Sequence, residues 1–270
     1  MKLIASDIDG TLLRSDRTIS ETTKQALRRW MEKGNVFAIA TGRMFEAGRL
    51  VTYDFDYDGY LIACNGGVVK HLKTGEILAS NAMDKDIVDE ILTICKTYDA
   101  YVNMYDLSTI YATRNTNLAL KFGNMMQALP KAYHFDIKVQ PDLRPIAKEI
   151  DVYKLGVFSE NAETFLALQK VLQSLGGIEA CLSMATSLDI TAKGVTKATG
   201  IEAIRTHYGI SIADVIAFGD HENDQDMIRY AGTGVAMGNA TDGLKSISDF
   251  ITLPNDEDGI PYALRELKLL

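Results

Sequence analysis

Short apolar runs alternate with helix-periodic stretches at both ends of this chain, and that alternation restricts the fold more than any other feature. The run Lys2 to Ser6 is followed by a helical stretch, Ser20 to Lys33, which stops at Gly34 before a second apolar run, Val36 to Ala40. Tyr60 to Cys64 reads as a third strand, and Asn65-Gly66-Gly67 as the turn into Val68 to Lys70, with Ile77 and Leu78 as its continuation. The pattern resumes with a helix from Thr196 to His207, a strand Val215 to Ala217, a helix near Asp224 to Tyr230 and a strand Gly234 to Met237, before a last strand and helix. Alternation of this kind predicts an α/β fold with a parallel sheet covered on both faces, whose ligand crevice lies beyond the carboxyl ends of the strands.

The middle of the chain has a different texture. A helical stretch, Ile87 to Tyr98, precedes strand-like pieces at Tyr101 to Tyr105 and Thr109 to Ala112, a Met-rich helix near Leu118 to Leu129, and a polar connection containing proline. A strand Val152 to Phe158, a helix Ala162 to Leu175 and strands around Glu179 to Met184 and Ser187 to Thr191 follow, which reads as an inserted α+β module. At 270 residues the chain exceeds what one compact core usually holds. The expected division is a core domain from 1–82 and 190–270, with a second domain from 83–189.

Charge narrows the partners. Lys and Arg total 28 against 36 Asp and Glu, a net charge of -8, the wrong sign for gripping nucleic acid or anionic lipid through the overall field. A small-molecule partner is favoured, and an anionic one would need local cations or a metal. Cys64, Cys95 and Cys181 are odd in number and widely spaced, as expected of buried reduced thiols. Asp7 and Asp9 interrupt the first apolar run before a signal peptide or membrane span could form, so a cytoplasmic protein is expected. A monomer or weak homo-oligomer is the expected assembly, with no particular residue pattern behind it.

Asp7-Ile8-Asp9-Gly10-Thr11-Leu12 stands directly after the first strand. Two carboxylates one residue apart at a strand end can approach one reaction centre, a spacing that suits a nucleophile and an acid. An acidic capping loop is the plainer alternative, but at ordinary residue usage this six-residue string arises by chance in about one chain in 10⁴ or fewer. Thr41-Gly42-Arg43 ends the second strand, where a hydroxyl and exposed amides suit a phosphate oxygen; a simple strand-to-loop turn would look the same. Gly219-Asp220-His221-Glu222-Asn223-Asp224 follows a later strand, and its carboxylates repel one another unless a hard cation sits among them or a helix start absorbs the charge. Gly232 to Gly238 flanks and enters a strand instead of linking strand to helix, so it is no dinucleotide fingerprint.

Taken in order, these segments resemble the motifs of the haloacid dehalogenase superfamily, and the resemblance extends over the whole chain. It implies a Rossmann-like core, with residues 83–189 as a C2-type cap of the Cof-like, type IIB branch. The superfamily's lysine falls at Lys197, which follows a short turn and opens a helix; Lys193 is the competing position. As the resemblance implies, Asp7 attacks phosphorus and Asp9 acts first as acid and then as base. Magnesium is held by Asp7, the Asp9 carbonyl, Asp220 and, directly or through water, Asp224. Phosphate or substrate contacts fall to Gly10, Thr41, Gly42, Arg43, Asn65, Gly66, Lys197 and Asn223. The implied activity is magnesium-dependent hydrolysis of a small phosphorylated metabolite, by default a sugar phosphate. A phosphomutase would need cap cations for a second phosphate, and only Arg114 and Arg144 occur as arginines between Asp84 and Thr191. A catalytically silent phosphosugar-binding regulator should have lost a carboxylate, and none is missing.

Overall fold

The computed structural model describes residues 1–269 apart from 56, 116, 117, 128 and 185, and the side chains of these apart from 118–121, 125 and 184.

The first unit begins with β1 (Leu3–Ser6), α1 (Glu21–Glu32), β2 (Val36–Ala40), α2 (Phe45–Arg49), β3 (Tyr60–Ala63), β4 (Val68–His71) and β5 (Ile77–Ser80). The second contains α3 (Lys85–Thr97), β6 (Tyr101–Tyr105), β7 (Thr109–Ala112), α4 (Leu118–Gln127), β8 (Asp136–Val139), α5 (Arg144–Ala147), β9 (Lys154–Phe158), α6 (Ala162–Ser174), β10 (Ile178–Met184) and β11 (Ser187–Ala192). The chain then returns through α7 (Lys197–Tyr208), β12 (Val215–Gly219), α8 (Gln225–Tyr230), β13 (Thr233–Ala236), α9 (Asp242–Lys245), β14 (Phe250–Ile251) and α10 (Gly259–Glu266).

Among the described residues the first sheet has eight strands in the order β14-β13-β12-β1-β2-β3-β4-β5. The pairs from β14 to β3 are parallel, and β4 and β5 extend that side antiparallel. Strand β1 is central and its Leu3, Ile4 and Ala5 are wholly buried, which is why it reads as an unbroken apolar run without alternation. Helix α1 starts where the Ser20 hydroxyl accepts the Thr23 amide at 3.0 Å, and it buries Leu27 and Trp30 against the sheet. Helix α7 starts with a reciprocal cap between Thr196 and Thr199 and ends at Gly209 in the left-handed region.

The second sheet runs β10-β11-β9-β6-β7-β8, antiparallel except for the β7 and β8 pair. Its apolar cluster gathers Val88 and Ile91 of α3, Phe165, Leu168 and Leu172 of α6, and Leu155 and Val157 of β9. Two elements fall where the sequence suggested only a polar connection, β8 and α5. Strand β8 lies at the sheet edge, paired with β7 alone and largely exposed, so it lacks the buried face whose alternation would reveal it. Strand β11 continues the second sheet past 189 to Ala192.

A third apolar cluster joins the two units. It sets Met44, Ala47, Leu50, Cys64 and Val68 from the first against Tyr105, Ile110, Phe122, Phe135 and Tyr153 from the second. Each large side chain buried this way contributes about 1.5–3 kcal/mol, so this side of the contact resists separation. Where the chain crosses from the first unit to the second, the Asn81 amide donates to Gly67 O at 2.8 Å and the Met83 amide to Val152 O at 2.8 Å.

Candidate active site

The Asp7 amide donates to Phe218 O at 3.0 Å, carrying the β1 and β12 ladder one residue past the end of β1. The Asp7 carboxylate therefore leaves the central strand at its carboxyl end. Behind it the chain folds back sharply, with the Leu12 amide on Asp7 O at 3.2 Å and the Leu13 amide on Ile8 O at 2.9 Å. Gly10 serves this turn at φ +82°, a region that strains other residues, and a Cβ on it would lie 2.3 Å from Asp220 Oδ2. The Thr11 hydroxyl donates to Asp220 Oδ1 at 2.7 Å, tying the loop after β1 to the loop after β12. Adjacent parallel strands thus bring residues 7 and 220 to one mouth.

Lys197 is the first residue of α7 and is almost wholly buried, whereas Lys193 is exposed. Its ammonium donates to Asp7 Oδ1 at 2.5 Å and to Asp224 Oδ1 at 2.6 Å. The other Asp224 oxygen accepts the amides of Asp220 at 2.9 Å and His221 at 3.1 Å. Asp224 is thereby engaged at both oxygens, one aiming Lys197 and the other shaping the loop after β12. Burial works against the Lys197 charge, but Asp224 and Asp7 outweigh it and hold the ammonium charged, its pKa above the ordinary value.

Carboxylate oxygens of Asp7, Asp220 and Asp224 lie within 4.8 Å of one another. Burial pushes the Asp7 carboxyl up to about 8 against the pull of Lys197, and repulsion from Asp224 and Asp220 adds to the rise. Burial and Asp224 likewise push Asp220 up to about 6. Crowded oxygen donors that resist ionising together fit a hard divalent cation, which would relieve both costs. The Asp9 carboxylate is apart from this cluster: its side chain is 65% exposed and is clamped by Arg43, with Nε at 2.9 Å and a second guanidinium nitrogen at 2.5 Å.

On the other side, Thr41 follows β2 and is buried, its hydroxyl accepting the Arg43 amide at 3.1 Å. The Asn65 amide reaches Thr41 O at 2.9 Å and the Cys64 amide reaches Arg43 O at 2.8 Å, so the loops after β2 and β3 lie together. Asn65 sits in the left-handed region at φ 53°, ψ 34°. Gly66 is buried at φ +103°, and a Cβ on it would lie 2.1 Å from Thr196 O, so a side chain there would strike the start of α7. Asn223 is half-buried and lines a cavity of about 210 Å³ with Asn65, Cys181, Thr191 and Lys197.

Four residues near this mouth had escaped sequence reasoning: Thr11, Lys154, Asp189 and Asn239, whose amide nitrogen donates to Gly10 O at 2.8 Å. For Lys154 and Asp189 a signal existed, since each is a charge inside an apolar strand, Tyr153-Lys154-Leu155 and Leu188-Asp189-Ile190. Thr11 stands inside the Asp7 to Leu12 string with no role of its own assigned there, and Asn239 carries no such mark.

Residues 4–264 match the family described as haloacid dehalogenase-like hydrolase. The chain is 31% identical over 271 residues to the putative phosphatase YkrA of Bacillus subtilis, covering 100% of this chain and 98% of that one. It is 27% identical over 279 residues to 5-amino-6-(5-phospho-D-ribitylamino)uracil phosphatase YitU of the same organism, covering 98% and 96%. Among solved structures, the HAD subclass IIB sugar phosphatase BT4131 superposes with a TM-score of 0.83 at 26% identity, covering 100% of both chains. With nearly the whole length matched in sequence and fold, the chain belongs to the haloacid dehalogenase-like hydrolase family and is an enzyme of its phosphatase class.

Proposed function

We propose that this enzyme hydrolyses the phosphate ester of a small polyhydroxylated metabolite, a sugar phosphate by default, through an aspartyl-phosphate on Asp7. The observation that carries this reading is the Lys197 ammonium held against Asp7 Oδ1 while Asp220 crowds the same carboxylate. A buried carboxylate with one oxygen fixed by a cation presents its other oxygen to phosphorus. In the first step Asp7 Oδ2 bonds to phosphorus as the bond to the leaving oxygen breaks, and Asp9 gives that oxygen its proton. In the second, Asp9 takes a proton from water as the water oxygen bonds to phosphorus, releasing inorganic phosphate and restoring Asp7. Asp9 must leave the Arg43 clamp to do so, which makes substrate arrival the natural trigger for its release.

Lys197 and the amides near Gly10 and Gly42 supply positive charge to the equatorial phosphoryl oxygens, with Thr41 and Asn223 as further hydrogen-bonding groups. Asp7, Asp220 and the Asp9 carbonyl would hold magnesium, with Asp224 behind Lys197. Magnesium, when bound, neutralises the crowded carboxylates and the phosphoryl charge.

The two relatives named for a substrate, a phosphoribityl compound and a sugar phosphate, share a polyhydroxylated leaving group, which supports the substrate class. The mutase reading is disfavoured by the cap cations. Arg114 is paired with Asp99, Arg144 is paired with Asp142 at 2.5 Å, and Glu179, Glu222 and Asp226 border the cavity. We assign residues 83–189 to the cap, and propose a monomeric or weakly self-associating cytoplasmic protein. A net charge of -8 supports the absence of nucleic-acid or anionic-lipid partners, and no helix among the described residues is long and apolar enough to cross a membrane. Phosphate release from a panel of sugar, polyol and aryl phosphates, with and without magnesium, tests the reading. Turnover of polyol and sugar esters that depends on magnesium is expected; conversion to a positional isomer without phosphate release would show a mutase instead.

A further inference from the structure

A second buried ion pair lies apart from the Lys197 cluster, at the seam between the two sheets. The ammonium of Lys154, on β9, donates to Asp189 Oδ2, on the adjacent β11, at 2.8 Å, and the two side chains are 7% and 8% exposed. Burying both charges is costly, and a well-packed apolar pair at such a site often serves stability as well or better. The pair therefore calls for an explanation beyond holding the second sheet together.

Its remaining contacts supply one. Asp189 Oδ2 also accepts the side-chain amide of Asn65 at 3.0 Å, and Lys154 also donates to Gly42 O at 2.5 Å. Asn65 and Gly42 both belong to the first unit, in the loops after β3 and β2. The Lys154 ammonium further lies over the Tyr105 ring at 4.7 Å, which fills its third side. One pair on the second sheet thus grips the two core loops that flank the phosphate-facing Thr41.

The grip has a directional result. Because Asn65 gives its amide nitrogen to Asp189, its carbonyl oxygen Oδ1 is left beside Gly42, and it has no hydrogen-bond partner although the residue is 95% buried. A Cβ on Gly42 would lie 3.1 Å from that oxygen and 3.2 Å from Asp189 Oδ2, so the loop backbone and both side chains are in close contact. A buried acceptor left without a donor is unfavourable and is retained where a donor arrives with a ligand. Asn65 also lines the cavity shared with Lys197 and Asn223.

We infer that Lys154 and Asp189 are positioning residues, which fix the Gly42 loop and the Asn65 side chain beside the phosphoryl site. The assignment rests on the phosphatase reading above. It makes the second sheet a structural part of phosphate binding as well as of leaving-group selection.

The test compares wild type with a Lys154→Met, Asp189→Leu double variant and with Asp189→Glu, using an aryl phosphate with magnesium, inorganic phosphate as a competitive inhibitor, and thermal melting. The double variant removes both charges together but leaves the Asn65 amide and Gly42 O without these partners, so it should stay folded while melting several degrees below wild type, and kcat should fall at least about tenfold as the inhibition constant for phosphate rises by a similar factor. Asp189→Glu keeps the charge but moves it, and should lower kcat by about tenfold without lowering the melting temperature. If the double variant does not fold, Asp189→Glu alone decides. Unchanged kcat and phosphate inhibition in a folded variant would reduce the pair to a structural role and overturn the inference, leaving the phosphatase reading intact. A wild-type enzyme that releases no phosphate from any ester would sink both.

Discussion

The ammonium of Lys197 lies 2.6 Å from Asp224 Oδ1, and both side chains are sealed from solvent. Asp224 therefore holds the lysine from behind while Asp7 receives it in front at 2.5 Å. Lys197→Met should remove the cation and leave Asp224 facing an apolar group. Breaking a buried pair from one side costs about 3–5 kcal/mol, and losing a cation aimed at the reacting group costs about 10²-fold or more in kcat. Denaturant unfolding and phosphate release measure the two effects on one sample. Loss of stability with kcat unchanged would place Lys197 outside the chemistry.

Gly10 offers a cleaner separation of strain from site damage. Both Gly10 and Gly75 are left-handed, at φ +82° and +74°, but a Cβ at Gly75 would meet nothing within 4 Å, and one at Gly10 would strike Asp220. Alanine at either position should cost about 1–3 kcal/mol of backbone strain. Only Gly10→Ala should also weaken magnesium activation, by about tenfold or more, since it displaces an expected ligand. Equal magnesium titrations for the two variants would contradict this.

The crowded carboxylates set a pH dependence whose sign follows from their direction. Asp220 is raised from 3.8 to about 6 and Asp7 to about 8, so each binds its proton more tightly in the folded protein than in the unfolded chain. Their contribution to stability is whole below about pH 4 and is lost as pH rises through 6 and then 8. Metal-stripped protein should therefore melt lower at pH 8 than these two groups allow at pH 5. Magnesium competes with the same protons, so its addition should raise the melting temperature by about 3 °C more at pH 8 than at pH 5. An equal rise at both values would mean that these carboxyls do not bind the ion.

Most of the core was legible because a parallel sheet buried on both faces writes itself as apolar runs, and Leu3 to Ala5 and Val215 to Phe218 are of that kind. The meeting of Asp7 and Asp220 was legible because acids directly after apolar strands are rare, and both strands end at one mouth of the sheet. Strand β8 was not, because an exposed edge needs no pattern. The same holds for the partners of the site: nothing in the string Leu188-Asp189-Ile190 says that this aspartate faces Lys154 from a neighbouring strand and Asn65 from another sheet. Long-range pairing set by topology decides that, and it leaves only a charge out of place as its trace. Gly66 is of the same kind: the turn it belongs to shows in the string, but its close approach to Thr196 O does not.

The proposed hydrolysis turns on a covalent bond between phosphorus and Asp7. An Asp9→Asn variant lacks the group that activates water, so it should accumulate the intermediate when mixed with an aryl phosphate and magnesium. Acid quenching followed by peptide mass spectrometry should find one phosphoryl group on the peptide carrying Asp7, and none when Asp7 is also changed to Asn. Turnover of wild-type magnitude in Asp7→Asn, or phosphate release from Asp9→Asn with that peptide never modified, would contradict it.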